Sequence, residues 1–229
     1  MTTETPMRRA ESAALDYYLL RVGADDGRAA GLVVEEFVLA DDLSATLLRS
    51  AGWTPADGGW WSSAAFARSV RADRGLRARL AAVDRATAAA TYRRLGGGTL
   101  PGEEALRDRF HDDLPLSCGA PLRLGAGPDV HRVLFAGELD DRRMARLITA
   151  LRLDDATSAT GARPGVVGTG RLRVDGTHLH WDLRRVGGAW CLDVMSEPVP
   201  GDVLRRLLRR LTSLARGQGL VPATIDRLS

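Results

Sequence analysis

The chain has 229 residues, 45% of them hydrophobic and 27% charged, which is enough apolar surface for a core without metal or disulfide staples and too much for a disordered chain. Its 32 basic and 29 acidic residues leave a formal charge of +3, so no bulk polycation is present and the pI near 9.4 exaggerates the basicity. Every basic residue is arginine, and both lysine and asparagine are absent, a usage that points to a GC-rich bacterial genome; arginine here is background before it is nucleic-acid chemistry.

Residues 1–14 read as a flexible polar tail. Their basic pair, Arg8 and Arg9, is not followed by the apolar stretch of a secretion signal, and no later segment has the length of a membrane span. Cys118 and Cys191 are far apart and match no metal spacing, which suits a reducing compartment. A cytoplasmic location without membrane contact is expected.

Residues 15–22 (LDYYLLRV) and 32–39 (LVVEEFVL) predict two strands, although Glu35 and Glu36 break the alternation of the second. Asp41 or Asp42 then caps a helix running to about Ser50, with Leu43, Leu47 and Leu48 at helical spacing. The next stretch, GWTPADGGWW, places Trp53, Trp60 and Trp61 around a Pro and Gly turn. Such a group serves either as an aromatic clamp for a flat base or a peptide, or as indoles that pin a β-ribbon to neighbouring helices.

From residue 62 to 111 the pattern reads as helical throughout. Phe66 shares a face with Val70, and Leu76 shares one with Leu80 and Val83. Asp84 caps the segment carrying Ala88, Tyr92 and Leu95, and Leu106 pairs with Phe110. The arginines here alternate with acids, the pattern of solvated faces rather than of a phosphate track. The glycines of GGGT (96–99) and GVVGTG (165–170) lack the strand and helix context of a nucleotide loop.

Residues 116–128, dense in Pro and Gly, form the expected linker between two lobes. Beyond it come a strand over 131–136 and a helix over 140–152, capped by Asp140, with Met144, Leu147, Ile148 and Leu151 on one face. Residues 169–197 predict three strands joined by two-residue turns at Asp175-Gly176 and Gly187-Gly188. That register sets Leu172 against Leu179, Leu183 against Leu192 and Trp181 against Val194 on an apolar face. The reverse face carries Arg171, Arg173, His178, His180, Asp182, Arg184, Cys191, Asp193 and Met195.

His178, His180 and Asp182 alternate on one strand about 7 Å apart, which suits metal ligands. However, Arg173 and Arg171 lie opposite the two imidazoles and would repel a divalent ion, while Asp182 opposite Asp193 requires an arginine or a bound cation between them. The face is therefore read as self-neutralising or anion-binding, with no metal and no cofactor. The last helix, from Asp202 to Gly217, gathers Leu204, Leu207, Leu208, Leu211, Leu214 and Ala215 on one arc. The other arc holds Arg205, Arg206, Arg209, Arg210 and Arg216, a candidate basic patch, and residues 220–225 return as a strand.

The expected fold is α+β in two lobes. Residues 15–115 form a mainly helical lobe with a short sheet. Residues 129–229 run β-α-β-β-β-α-β, an antiparallel-rich sheet covered by helices on one face. No GxSxG, HExxH, CxxC, kinase or deaminase signature occurs, His111 and His131 stand beside no recognisable nucleophile, and no catalytic residue is assigned. Three functions remain open. The first is a non-catalytic cytoplasmic binding or regulatory module engaging a protein partner through the tryptophan turn or a groove between lobes. The second is a nucleic-acid binder using the basic patch. The third is an enzyme acting on an anionic small molecule at Arg171, Arg173, His178, His180, Asp182 and Asp193. Partner identity and oligomeric state are not fixed by the sequence.

Overall fold

Two antiparallel sheets of six strands each organise the chain in a computed structural model that describes residues 14–24, 26–116, 129–155, 165–174, 176–197 and 199–228. The tail, apart from residue 14, and the linker, apart from Leu116, lie outside the described residues, as do Cys118 and Asp175. No helix among the described residues is long and apolar enough to cross a membrane.

In the N-terminal half, β1 (Asp16–Arg21), β2 (Ala29–Leu39), β3 (Ala45–Trp53) and β4 (Trp60–Ser62) form a meander. Two helices, α1 (Ala64–Ala72) and α2 (Arg74–Ala78), lead to β5 (Leu80–Val83), which pairs with the free side of β1. Then α3 (Arg85–Arg94) and α4 (Glu103–Arg107) precede β6 (Asp113–Pro115), which pairs with β3. Strand alternation gives the sheet two apolar faces. Tyr17, Leu32, Val34 and Trp53 pack with Ala88 and Tyr92 of α3 and Leu106 of α4, whereas Tyr18, Leu20 and Val33 pack with Val70 of α1.

This overturns the expectation of a mainly helical N-terminal lobe: the described residues are 42% strand and 30% helix, with a full sheet in each half. Two segments account for the difference. At residues 41–50 the Asp42 carboxylate accepts from Ser44 N at 3.0 Å and Ser44 Oγ at 2.6 Å, making a tight turn with Leu43 at φ 67° in place of a helix cap. The leucines that follow pair across β2, Leu47 with Val38 and Leu48 with Phe37, so long-range pairing overrides their helical spacing. In residues 62–111, Ser63, Asp73 and Asp84 each cap a new, short helix, and Leu80 and Val83 belong to a strand lying against Leu20 and Tyr17.

The C-terminal half contains β7 (Val130–Ala136), α5 (Asp141–Leu151), β8 (Asp154–Asp155), β9 (Val166–Val174), β10 (Thr177–Val186), β11 (Ala189–Ser196), α6 (Gly201–Gly217) and β12 (Val221–Leu228). Its strand order is β12-β7-β11-β10-β9-β8, which adds the short β8 to the elements anticipated. Both turns of the meander have two residues, with Gly176, Gly187 and Gly188 at positive φ, and the pairs Leu179–Leu172, Leu183–Leu192 and Trp181–Val194 follow. Leu204, Leu207, Leu208 and Leu211 of α6, with Leu147 and Leu151 of α5, cover Leu179, Trp181, Leu183, Leu192 and Val194. The Trp181 indole lies on Gly170, where a Cβ would come 2.2 Å from Nε1, and that nitrogen donates to Leu151 O at 3.2 Å. Leu172, at the sheet margin, escapes the cover and is 39% exposed.

The halves meet along a seam of mixed chemistry. Leu43, in the β2–β3 turn, and Ala45, at the start of β3, are buried with Val133 and Phe135 in the core of the C-terminal half. Alongside, Asp16 and Glu35 oppose each other in the β1–β2 register. Arg71 of α1 donates to both Glu35 oxygens at 2.9 and 2.8 Å and to Pro222 O of β12 at 3.0 Å. Arg216 of α6 donates to Asp16 Oδ1, to Tyr18 Oη at 2.9 Å and to Tyr17 O at 3.2 Å. Burial pulls the Arg71 guanidinium down, but Glu35, Tyr18 and Asp16 together outweigh it and hold the arginine above its ordinary value. Burial pushes the Asp16 carboxyl up against the pull of Arg216. Two acids thus meet two arginines with their polar atoms satisfied, the condition under which buried charge is tolerated.

Candidate functional site

The tryptophan turn is built from the residues between β3 and β4. Thr54 Oγ1 donates to Asp57 Oδ2 at 2.6 Å, and the Trp61 indole donates to the same oxygen at 3.0 Å, which fixes the loop and the ring together. Gly52, paired with Trp61, leaves room for that ring to lie flat: a Cβ there would come 2.0 Å from Trp61 Cζ2. Phe66 of α1 meets the Trp61 ring edge-on, with centroids 5.0 Å apart.

Alternation along β4 sends the neighbouring tryptophan to the opposite side of the sheet. Trp60 and Trp53 both pack on Tyr92, at centroid distances of 5.7 and 4.5 Å. The three indoles therefore do not form one clamp. Trp53 is a core residue at 6% exposure, while Trp60 and Trp61 are half-buried and border a shallow, open cleft of about 590 Å³ with Asp57, Gly59, Ser63 and Phe66. Asp57 is exposed, and among the described residues no arginine or histidine forms an ion pair with its carboxylate. The sequence marks Phe66 only as a helix-packing position and does not single out Asp57 or Ser63, although the TPAD spacing marks Asp57 as a turn residue able to answer Thr54.

The polar face of the C-terminal sheet is two surfaces. Its inner part is a closed set of ion pairs. Asp193, 1% exposed, accepts from Arg132 at 2.6 and 2.7 Å and from Arg184 at 2.9 Å. Asp182, 4% exposed, accepts from Thr169 Oγ1 at 2.9 Å and lies 3.3 Å from His180 Nε2. The two carboxylates do oppose each other, with Asp193 met by the two arginines and Asp182 by Thr169 and His180. Arg132 went unnoticed in the sequence because its role depends on β7 lying beside β11, a contact between distant segments.

The outer part, Arg171, Arg173 and His178, is exposed, with Arg171 lying 3.6 Å from Asp154. The Cys191 thiol is buried, and burial together with the Asp193 charge pushes it up, away from the thiolate a nucleophile requires. Among the described residues no three His, Cys, Asp or Glu side chains converge in a metal-binding group.

On α6, Arg206, Arg209 and Arg210 are exposed and Arg205 is half-buried. Arg216, expected on the same outer face, turns into the seam and is 7% exposed, because Asp16 and Tyr18 await it there. No family model matches this sequence, and no curated protein and no solved structure matches it either.

Proposed function

We propose that the protein is a non-catalytic cytoplasmic binding module and that the cleft at Trp60, Trp61 and Phe66 docks a protein partner through a cationic side chain. The observation that carries this reading is an exposed carboxylate without an ionic partner, bound to the Trp61 indole, whose ring Phe66 meets edge-on. A guanidinium or ammonium group there gains an aromatic face and a charge-assisted hydrogen bond together, at about 0.5 to 2 kcal/mol for the cation–π part. The polar sheet face gives less support to an enzyme, since both of its buried carboxylates are already engaged within the protein.

The test is calorimetric titration with a blocked arginine-rich hexapeptide, using a glutamate-rich hexapeptide as the contrast. Only the cationic peptide is expected to bind, with Asp57→Asn and Trp61→Ala each weakening it by about tenfold, the equivalent of 1.4 kcal/mol. Equal binding of both peptides, or titrations unchanged by either substitution, would overturn the proposal.

A further inference from the structure

We infer that the outer surface of the α5–α6 layer binds the phosphodiester backbone of a nucleic acid, at a site separate from the tryptophan cleft. The charge distribution is the first ground. The two helices carry eight arginines and two aspartates, a net +6, whereas the whole chain carries +3, so all the other residues together sum to −3. The near-neutral total conceals a molecule with one strongly cationic face. Arg216 is spent in the seam, which leaves Arg142, Arg143 and Arg146 of α5 and Arg205, Arg206, Arg209 and Arg210 of α6 on the outer side.

Pairing is the second ground. Arg206 is tied to Asp202 and Arg143 to Asp140, both between exposed side chains. Among the described residues Arg142, Arg146, Arg209 and Arg210 have no ion pair, and of these only Arg209 feels a neighbouring carboxylate, that of Asp16, so like charges accumulate along one turn after another. The two helices also present a continuous surface. Both lie on the same side of the sheet, and Arg143 reaches the turn that ends α6, where its Nη1 is 3.3 Å from the position of a Cβ on Gly219.

The identity of the anion follows from what this surface lacks. The apolar arcs of both helices are consumed by the sheet, so no greasy stripe remains to enter a lipid interface. An acidic protein would need apolar or aromatic anchors at the centre of its contact, and between the arginines the exposed positions are Ala145, Thr149 and Ser213. A row of guanidiniums without anchors fits a polyelectrolyte, whose binding is driven by counterion release.

Fluorescence anisotropy with a labelled RNA strand and a labelled DNA duplex tests the inference on the full chain. Binding is expected to weaken steeply between about 50 and 200 mM salt. Arg146→Glu combined with Arg210→Glu should lower affinity at least about tenfold and flatten the salt slope by about two. Arg68→Glu with Arg93→Glu, an equal charge change at two exposed arginines elsewhere, should cost less than about threefold because salt screens distant charge. Unchanged thermal melting of both variants separates a lost surface from a lost fold. The inference fails if neither nucleic acid binds at low salt, if both variant pairs weaken binding equally, or if polyglutamate or anionic vesicles compete as well as unlabelled RNA. The cleft is judged separately, by whether Asp57→Asn and Trp61→Ala weaken binding of the arginine-rich hexapeptide, an effect that changes on the arginine face should leave unaltered.

Discussion

The two sheets solve the same problem differently. The N-terminal sheet buries one face under α3 and α4 and the other under α1, with apolar contacts over most of both and arginine–carboxylate pairs only along the seam. The C-terminal sheet buries one face under leucines and closes the inner part of the other with its own arginine–aspartate pairs. Apolar packing tolerates no gap but is indifferent to pH and salt, whereas ionic closure dispenses with a covering layer and makes the strand order depend on charge balance. A polar row on a strand is therefore not by itself an exposed surface.

That contrast can be broken or sharpened by experiment. The largest effect belongs to the apolar side: Leu106→Ala, at a fully buried position, should cost about 3 kcal/mol in denaturant unfolding, with little dependence on pH. Next, Arg132→Ala leaves the Asp193 carboxylate short of its bidentate partner, and a cost of about 2 kcal/mol at neutral pH is expected. Arg132→Met, which keeps most of the side-chain volume but not the charge, should cost about as much as Arg132→Ala. A methionine variant as stable as the parent would mean that packing, not pairing, closes this face.

The smallest effect lies at the seam. His131 is held below its ordinary value by burial, which outweighs its contact with Asp42 O at 2.9 Å, and Arg227 lowers it further while Asp129 and Asp42 raise it. The unfolded chain is thus protonated first, and stability should fall as pH drops through 6.5, levelling off below the folded-state value. Loss of about 1 kcal/mol between pH 7 and 5, flattened in His131→Gln, is the expected result. An equal slope in the variant would assign the dependence to other groups.

Much of the C-terminal half was legible because its turns are self-identifying. Gly187-Gly188 permits a two-residue hairpin, and once the turn length is fixed every cross-strand pair is counted off from it. At residues 41–50 the same local signals served two structures: Asp42 can cap a helix or close a turn, and Leu43, Leu47 and Leu48 suit a helix face or a turn followed by a strand. The decision was made by β2, to which the segment pairs. Site residues divide likewise. Asp182 facing Asp193 could be counted from a turn, but Arg132 as the partner of Asp193 could not, nor could the inward path of Arg216, which crosses nearly the whole chain to reach Asp16.

The left-handed residue at the β2–β3 corner has a consequence for how the protein can be divided. Leu43 is a peg from one half seated in a socket of the other, with its backbone at φ 67°, a conformation that costs a non-glycine residue about 1 kcal/mol and persists because the socket secures it. Cleaving the chain between residues 116 and 129 would yield one fragment with a bare leucine at a strained corner and another with a hole beneath Phe135. Such pieces would be expected to rejoin in solution, behaving as complementary parts of one folding unit rather than as modules to be exchanged.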